Sequence, residues 1–244
     1  EDTEDEDYRM YILICKLKKK KILAWGHGAK HFEGKLSLLS KWMYNNCDKY
    51  LTYGEGGKKR LVDLGISPLK LDVIYNSLND GVINQNNNIL KCDLLIRHFG
   101  NNHPTIFFIG RLTKVKQIDW ILKALLVHKQ KYNLYYNFLI VGEGSEHKDL
   151  EAFVKSNNIS DVVWFYGKCY NNDELGHLIY NSDLCVSPGN VGLTALHSMI
   201  YGTPVLSNDD FETQMPEYET IIPGKTGDLY HKGDFNDFCE KIKS

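Results

Sequence analysis

Residues 185–205 read CVSPGNVGLTALHSMIYGTPV, and the change of pattern inside this stretch decides the fold class. The apolar run Leu184-Cys185-Val186 stops at Ser187-Pro188-Gly189-Asn190, a cluster of turn formers that suits a strand running into a loop. From Gly192 onward the apolar period changes. Leu193, Leu196 and Ile200 fall on one helical face, and Gly202 followed by Pro204 ends the pattern. A strand therefore feeds a glycine-bearing loop, and the loop feeds a helix N-terminus. The free amide groups and dipole of such an end favour a phosphate or another anion. Asn190, Thr194 and His197, spaced at about i, i+4 and i+7, form a polar stripe on a different side from the leucines. The stripe is placed to line a site at that helix end. An ordinary βα unit carrying a surface histidine fits the same residues.

The same alternation extends in both directions. Downstream, Pro204 to Ser207 reads as one more strand. Upstream, strands are expected at Thr105–Ile109, Asn137–Val141 and Val162–Phe165, with helices at Ile118–Val127, His147–Ser156 and Asp173–Tyr180 between and after them. Each strand ends in glycine or polar residues, where ligands sit in open α/β sheets. Nearer the start, Tyr8–Leu17 reads as a helix closed by Lys18–Lys21. Strands follow at Ile22–Trp25, Tyr50–Tyr53 and Leu71–Tyr75, with helices at Leu36–Asn46 and Glu55–Leu64. That is β-α-β-α-β, the rhythm of a parallel sheet with crossover helices. The polar break at residues 76–81 and the asparagines at 84–88 set an expected boundary, giving domains 1–77 and 78–244.

The chain has 244 residues, 43% hydrophobic and 12% aromatic, enough for a substantial core in one or two domains. A formal net charge of −2 gives no footprint for nucleic acid, and no nucleic-acid partner is expected. The six cysteines, at 15, 47, 92, 169, 185 and 239, are scattered without CxxC or zinc spacing, as buried free thiols are. They point to a reducing, cytoplasmic compartment, and no apolar run approaches the ~20 residues of a membrane span. The opening EDTEDED is expected to be a disordered acidic tail over residues 1–7. Lys18–Lys21 suits either peripheral contact with the inner membrane face or a solvated helix end.

Gly110-Arg111-Leu112…Lys116 puts two cations in the loop after a strand and at the start of the next helix. A forked guanidinium beside a point-charge ammonium suits a diphosphate; solvated helix-end charges are the alternative. Gly142-Glu143-Gly144 is too short to be a dinucleotide fingerprint. His27, His31 and Glu33 are close in sequence, but a glycine-rich loop gives them no fixed face, so no metal is expected. GxSxG, HExxH and GxxxxGK[ST] are absent, which excludes the serine-hydrolase, zincin and P-loop readings that depend on them.

Taken in order, FIGRLTKVKQIDWILKAL (108–125), FLIVGEGSEHKDLEAFVKSNNISDVVWFYGK (138–168), SDLCVSPGNVGLTALHSMIYGTPVLS (182–207) and PGKTGDLY (223–230) resemble the donor-binding half of group 1 (family four) glycosyltransferases. Residues 22–76 resemble the last part of that family's first domain, so the resemblance covers about residues 20–235. It implies retaining enzymes of the GT-B type, an α/β fold of two Rossmann-like domains with parallel sheets, here with the first one truncated. It implies a nucleotide sugar as donor, and a glycan or lipid-linked acceptor in cell-surface polysaccharide, lipopolysaccharide or glycolipid synthesis. No cofactor is implied.

By the same resemblance, Arg111 and Lys116 bind the donor diphosphate together with the backbone at Gly192 and Leu193. Gly167 and Lys168 lie against the nucleobase, and His27 is the catalytic-side histidine that reaches the donor sugar. The loop Gly189, Asn190, Val191 and Thr194 faces the sugar. The family's Glu-x7-Glu pair falls on Gly189 and His197, so both carboxylates are replaced, and His197 stands at the ribose position. The implied activity is a hexosyl transfer with retention. The lost carboxylates and the short first domain keep a non-catalytic nucleotide-sugar-binding fragment or pseudoenzyme as the alternative.

Overall fold

The computed structural model describes residues 2–28, 36–78 and 92–243, and for residues 2–7 it describes the backbone. His31 and Glu33, and the asparagines at 84–88, lie outside these residues. The chain divides into two compact units, Glu1–Asn76 and Ser77–Ser244.

In the first unit, β1 (Leu23–Gly26), β2 (Lys49–Thr52) and β3 (Leu71–Val73) pair in that order, all parallel. The crossover helices are α2 (Leu38–Asn46) and α3 (Glu55–Asp63). Ser37 starts α2 as its N-cap, its Oγ accepting a hydrogen bond from Ser40 N at 3.0 Å. Leu61, Ile66 and Leu71 are almost wholly buried, and Tyr44 meets Tyr50 edge-on with ring centres 4.8 Å apart. The first helix, α1, runs Asp2–Leu17, which corrects the expectation of a disordered acidic tail.

The second unit is built on a six-stranded parallel sheet. Its strands are β4 (Thr105–Ile109), β5 (Asn137–Val141), β6 (Val163–Gly167), β7 (Leu184–Ser187), β8 (Val205–Asn208) and β9 (Gly227–Tyr230). They lie in the order β6-β5-β4-β7-β8-β9, so counted within the unit the order is 3-2-1-4-5-6, that of a doubly wound nucleotide-binding sheet. Helices cover both faces, and the central strands are accordingly apolar on both. Ile106 and Phe108 pack with α5 (Ile118–Val127), α6 (His147–Ser156) and α9 (Phe235–Lys243). Phe107 and Leu139 pack with α4 (Leu94–Phe99), α7 (Asn172–Tyr180) and α8 (Thr194–Ile200).

Helix α8 departs from its expected orientation. The residues it buries are Ala195 and Ser198, with Val191 just ahead of it, while Leu193 is 42% exposed. The start of the helix lies close over the end of β4, where Thr194 Oγ1 donates to the Ile109 carbonyl at 3.3 Å. Small side chains fit at that distance, and the leucine spacing read in the sequence does not measure it.

Candidate functional site

The first strand of the second unit, β4, pairs with β5 on one side and with β7 on the other. Connections diverge there to opposite sides of the sheet, and the crevice outside the carboxyl ends is where such sheets bind ligands. Three loops are laced together at this edge by backbone hydrogen bonds. Gly110 N donates to Val141 O at 3.0 Å, Leu112 N to Glu143 O at 3.0 Å, Glu146 N to Leu112 O at 2.9 Å, and Gly142 N to Gly167 O at 2.8 Å. A Cβ added at Gly142 would stand 1.9 Å from Gly110 O, and one at Gly144 2.2 Å from Leu112 O. Gly-Glu-Gly thus exists so that two loops can touch. A cavity of about 630 Å³ opens over them, with Arg111, Glu143, Lys168 and Tyr170 in its wall.

The loop after β7 is held as tightly. Gly189 N donates to Lys116 O at 3.1 Å, and Lys116 Nζ returns to Asn190 O at 2.6 Å. A Cβ on Gly189 would stand 1.9 Å from Val115 O and 2.8 Å from Lys116 Cα. That position admits no side chain. Asn208 Nδ2 donates to the carbonyls of Pro188 at 2.9 Å and Gly189 at 2.8 Å, and Tyr230 OH to Pro188 O at 2.5 Å. Gln214 spans the loop from beneath: its Oε1 accepts from Val191 N at 2.7 Å, and its Nε2 donates to Ser207 Oγ at 2.9 Å and Asn208 O at 3.0 Å. Sequence reasoning missed Asn208, Gln214 and Tyr230. Their partners in the loop after β7 lie about twenty or more residues away, so no local pattern announces them.

Of the residues expected in the site, the structure gathers Arg111 and Lys168 around the cavity, with Gly167 at the end of the adjoining strand. It sets Lys116 against Asn190, and Thr194 against the end of β4. Val191 corrects its expected place, because its side chain is wholly buried in the core and only its backbone meets the loop. Leu193 is exposed, and Gly192 sits 3.7 Å (measured from its missing Cβ) from Met215. The Oδ1 of Asn190 is buried without a hydrogen-bond partner among the described residues. His197 is half-buried, and that burial pulls its pKa below the usual histidine value, so the ring is neutral at pH 7. His27 belongs to the first unit, just after β1, with its ring edge-on to Tyr53 at 5.1 Å.

Burial likewise lowers the pKa of Lys116. Among the described residues no carboxylate pairs with Arg111, Lys116 or Lys168. Cations at strand ends that form no ion pair with a carboxylate suit a polyanion. Helix α8 has only seven residues, so the cations carry more of this preference than its dipole does. No group of three or more His, Cys, Asp or Glu among the described residues is placed to hold a metal, and no helix there is long and apolar enough to cross a membrane.

Comparison with known proteins adds what geometry alone does not. The family model described as Glycosyl transferases group 1 matches residues 103–244. A Klebsiella pneumoniae protein, described as an uncharacterized 41.2 kDa protein in cps region, is 31% identical over 189 residues, which cover 76% of this chain and 48% of that protein. The lipopolysaccharide 1,6-galactosyltransferase of Escherichia coli K12 is 23% identical over 263 residues, covering 96% of this chain and 65% of the enzyme. Among solved structures, Anabaena HepE in complex with UDP superposes with a TM-score of 0.74 at 15% identity, covering 98% of this chain and 66% of that one. The apo lipopolysaccharide outer core galactosyltransferase WaaB does so at 0.73 and 20% identity, covering 98% and 63%. The two parallel α/β sets match those of GT-B structures, of which the chain covers part. It spans about half the length of the curated relatives it matches.

Proposed function

The chain belongs to the group 1 glycosyltransferases, and on that premise we propose that it moves a hexose from a nucleotide-sugar donor to an acceptor hydroxyl with retention of configuration. The observation that carries this reading is the pair of cations at the switch point, Arg111 and Lys116, neither of which forms an ion pair with a carboxylate among the described residues. Arg111 and half-buried Lys116 flank the β4–α5 loop, and Lys116 is drawn across to Asn190. Charge develops on the leaving nucleoside diphosphate as the glycosidic bond breaks, and preorganised cations in a partly dry site stabilise it without a metal. Gly192 and Leu193 add backbone amides, and Gly167 and Lys168 border the nucleobase. The named lipopolysaccharide 1,6-galactosyltransferase and O-antigen glycosyltransferase relatives support a cell-surface polysaccharide or lipid-linked acceptor.

The test is donor binding. A panel of nucleotide sugars is screened by thermal shift, and the best nucleoside diphosphate is then titrated into Arg111→Ala/Lys116→Ala. The double variant is expected to lose several kcal/mol, taking roughly 1.5–3 kcal/mol for each hydrogen bond to a charged group. Unchanged affinity would sink the reading.

One observation favours a second reading, a nucleotide-sugar-binding protein without turnover. Position 189 has no room for a side chain, and position 197 carries a neutral imidazole, so neither supplies a carboxylate. Tight donor binding with no release of nucleoside diphosphate, across a range of acceptors, would select it.

A further inference from the structure

Glu143 carries a charge opposite to that of the residues around it. It lines the same cavity as Arg111 and Lys168, and a carboxylate there repels a diphosphate. It therefore marks the part of the pocket that the phosphates do not occupy. Its backbone is fixed, because Gly142 and Gly144 press against the β4 loop and its carbonyl accepts from Leu112 N. Its side chain is fixed too. Oε2 meets His147 Nδ1 at 2.8 Å, the other nitrogen of that ring lies 3.4 Å from Glu151 Oε1, and the ring stacks on Phe165 with centres 5.1 Å apart. What remains is Oε1, which lies 3.7 Å from where a Cβ on Gly167 would stand, over the end of β6. The result is one oriented oxygen acceptor beside the backbone of residues 167–168, with no side chain on residue 167 to cover it.

We propose that Glu143 selects the nucleobase of the donor, favouring a base that presents a ring N–H over one that presents a bare ring nitrogen; this rests on the donor-binding reading given above. A carboxylate only accepts hydrogen bonds. Uracil, thymine and guanine offer it a ring N–H, whereas cytosine and adenine turn a lone pair toward it at the corresponding ring position. A site built around such a partner disfavours the analogue that lacks the donor, because a base laid over the half-exposed carboxylate takes it from water and then leaves it unmatched. His147 is the positioning residue that keeps Oε1 aimed.

The experiment is calorimetry on the full chain with UDP, GDP, CDP, ADP and inorganic pyrophosphate, using native protein, Glu143→Gln and Glu143→Ala. The native chain should bind UDP and GDP on the order of tenfold more tightly than CDP and ADP, the ratio of one hydrogen bond to a charged group. Glu143→Gln, whose amide both donates and accepts, should bring the four nucleotides within roughly threefold of one another. Its pyrophosphate affinity and melting temperature should not fall. An unchanged base order in Glu143→Gln overturns the proposal. So does an equal weakening of all four nucleotides, which would mean a ribose contact. If the native chain binds neither pyrophosphate nor any nucleotide, the donor-binding reading itself fails, a result distinct from the other two.

Discussion

Gln214 is 2% exposed, and both ends of its amide are committed to the loop that carries Gly189 to Val191. Replacing it with leucine keeps much of the volume but strands the amide of Val191 and the carbonyl of Asn208. Each buried polar group left without a partner costs about 1–3 kcal/mol, so Gln214→Leu is expected to destabilise the second unit by roughly 2–6 kcal/mol. Urea unfolding measures it, and an unmoved midpoint would show that the loop holds itself. Arg111 and Lys116 were legible as a pair because a cation just after a strand and another at the next helix start is a local pattern. Gln214 was not legible, since its role appears only when the chain returns 23 residues later.

At the scale of elements, β4, β5, α5 and α6 stand where periodicity puts them, because each has a long apolar pattern and clear end signals. Helix α9 escaped the reading, although Phe235, Phe238, Cys239 and Ile242 carry its apolar spacing. It closes one face of the sheet with aromatic rings. Phe238 is wholly buried, with its ring centre 5.7 Å from Trp120 and 4.9 Å from Tyr230. Truncation to Phe238→Ala removes those contacts and opens a cavity, and about 3–5 kcal/mol should be lost. A drop below about 1 kcal/mol on thermal or denaturant unfolding, far under that range, would mean that α9 merely rests on the sheet. The opposite error occurred in α8, where leucines at helical spacing were assigned to the core. The tight approach to β4 gives that face to Ala195 and Ser198 instead. Spacing reports direction around a helix, but not how closely the helix approaches its neighbour.

At the scale of the whole molecule, buried histidines set the acid limit. Burial lowers the pKa of His128, which is wholly buried with Nε2 donating to the Cys239 carbonyl at 2.9 Å, and does the same to half-buried His197. An unfolded histidine takes up its proton near pH 6.5, while these two hold it off until lower pH. Their contribution is therefore complete above that value and is lost as pH falls below it, by at most about 1.4 kcal/mol per pH unit for each ring. His231 is shifted the other way by Asp209, but it is exposed and counts for little. Chemical unfolding between pH 7 and pH 5 should show falling stability, with a shallower fall in His128→Gln, which can keep the bond to Cys239. A flat native profile would contradict this. The strand order has a consequence in time as well. Within the second unit the strand made first, β4, sits at the centre, and its second edge waits for Leu184 and Cys185. The crevice then waits again for Gln214 and Tyr230. During synthesis a ribosome must therefore deliver the chain as far as Tyr230 before the loop after β7 is braced, so a nascent chain stopped short of that residue would hold the loop loosely.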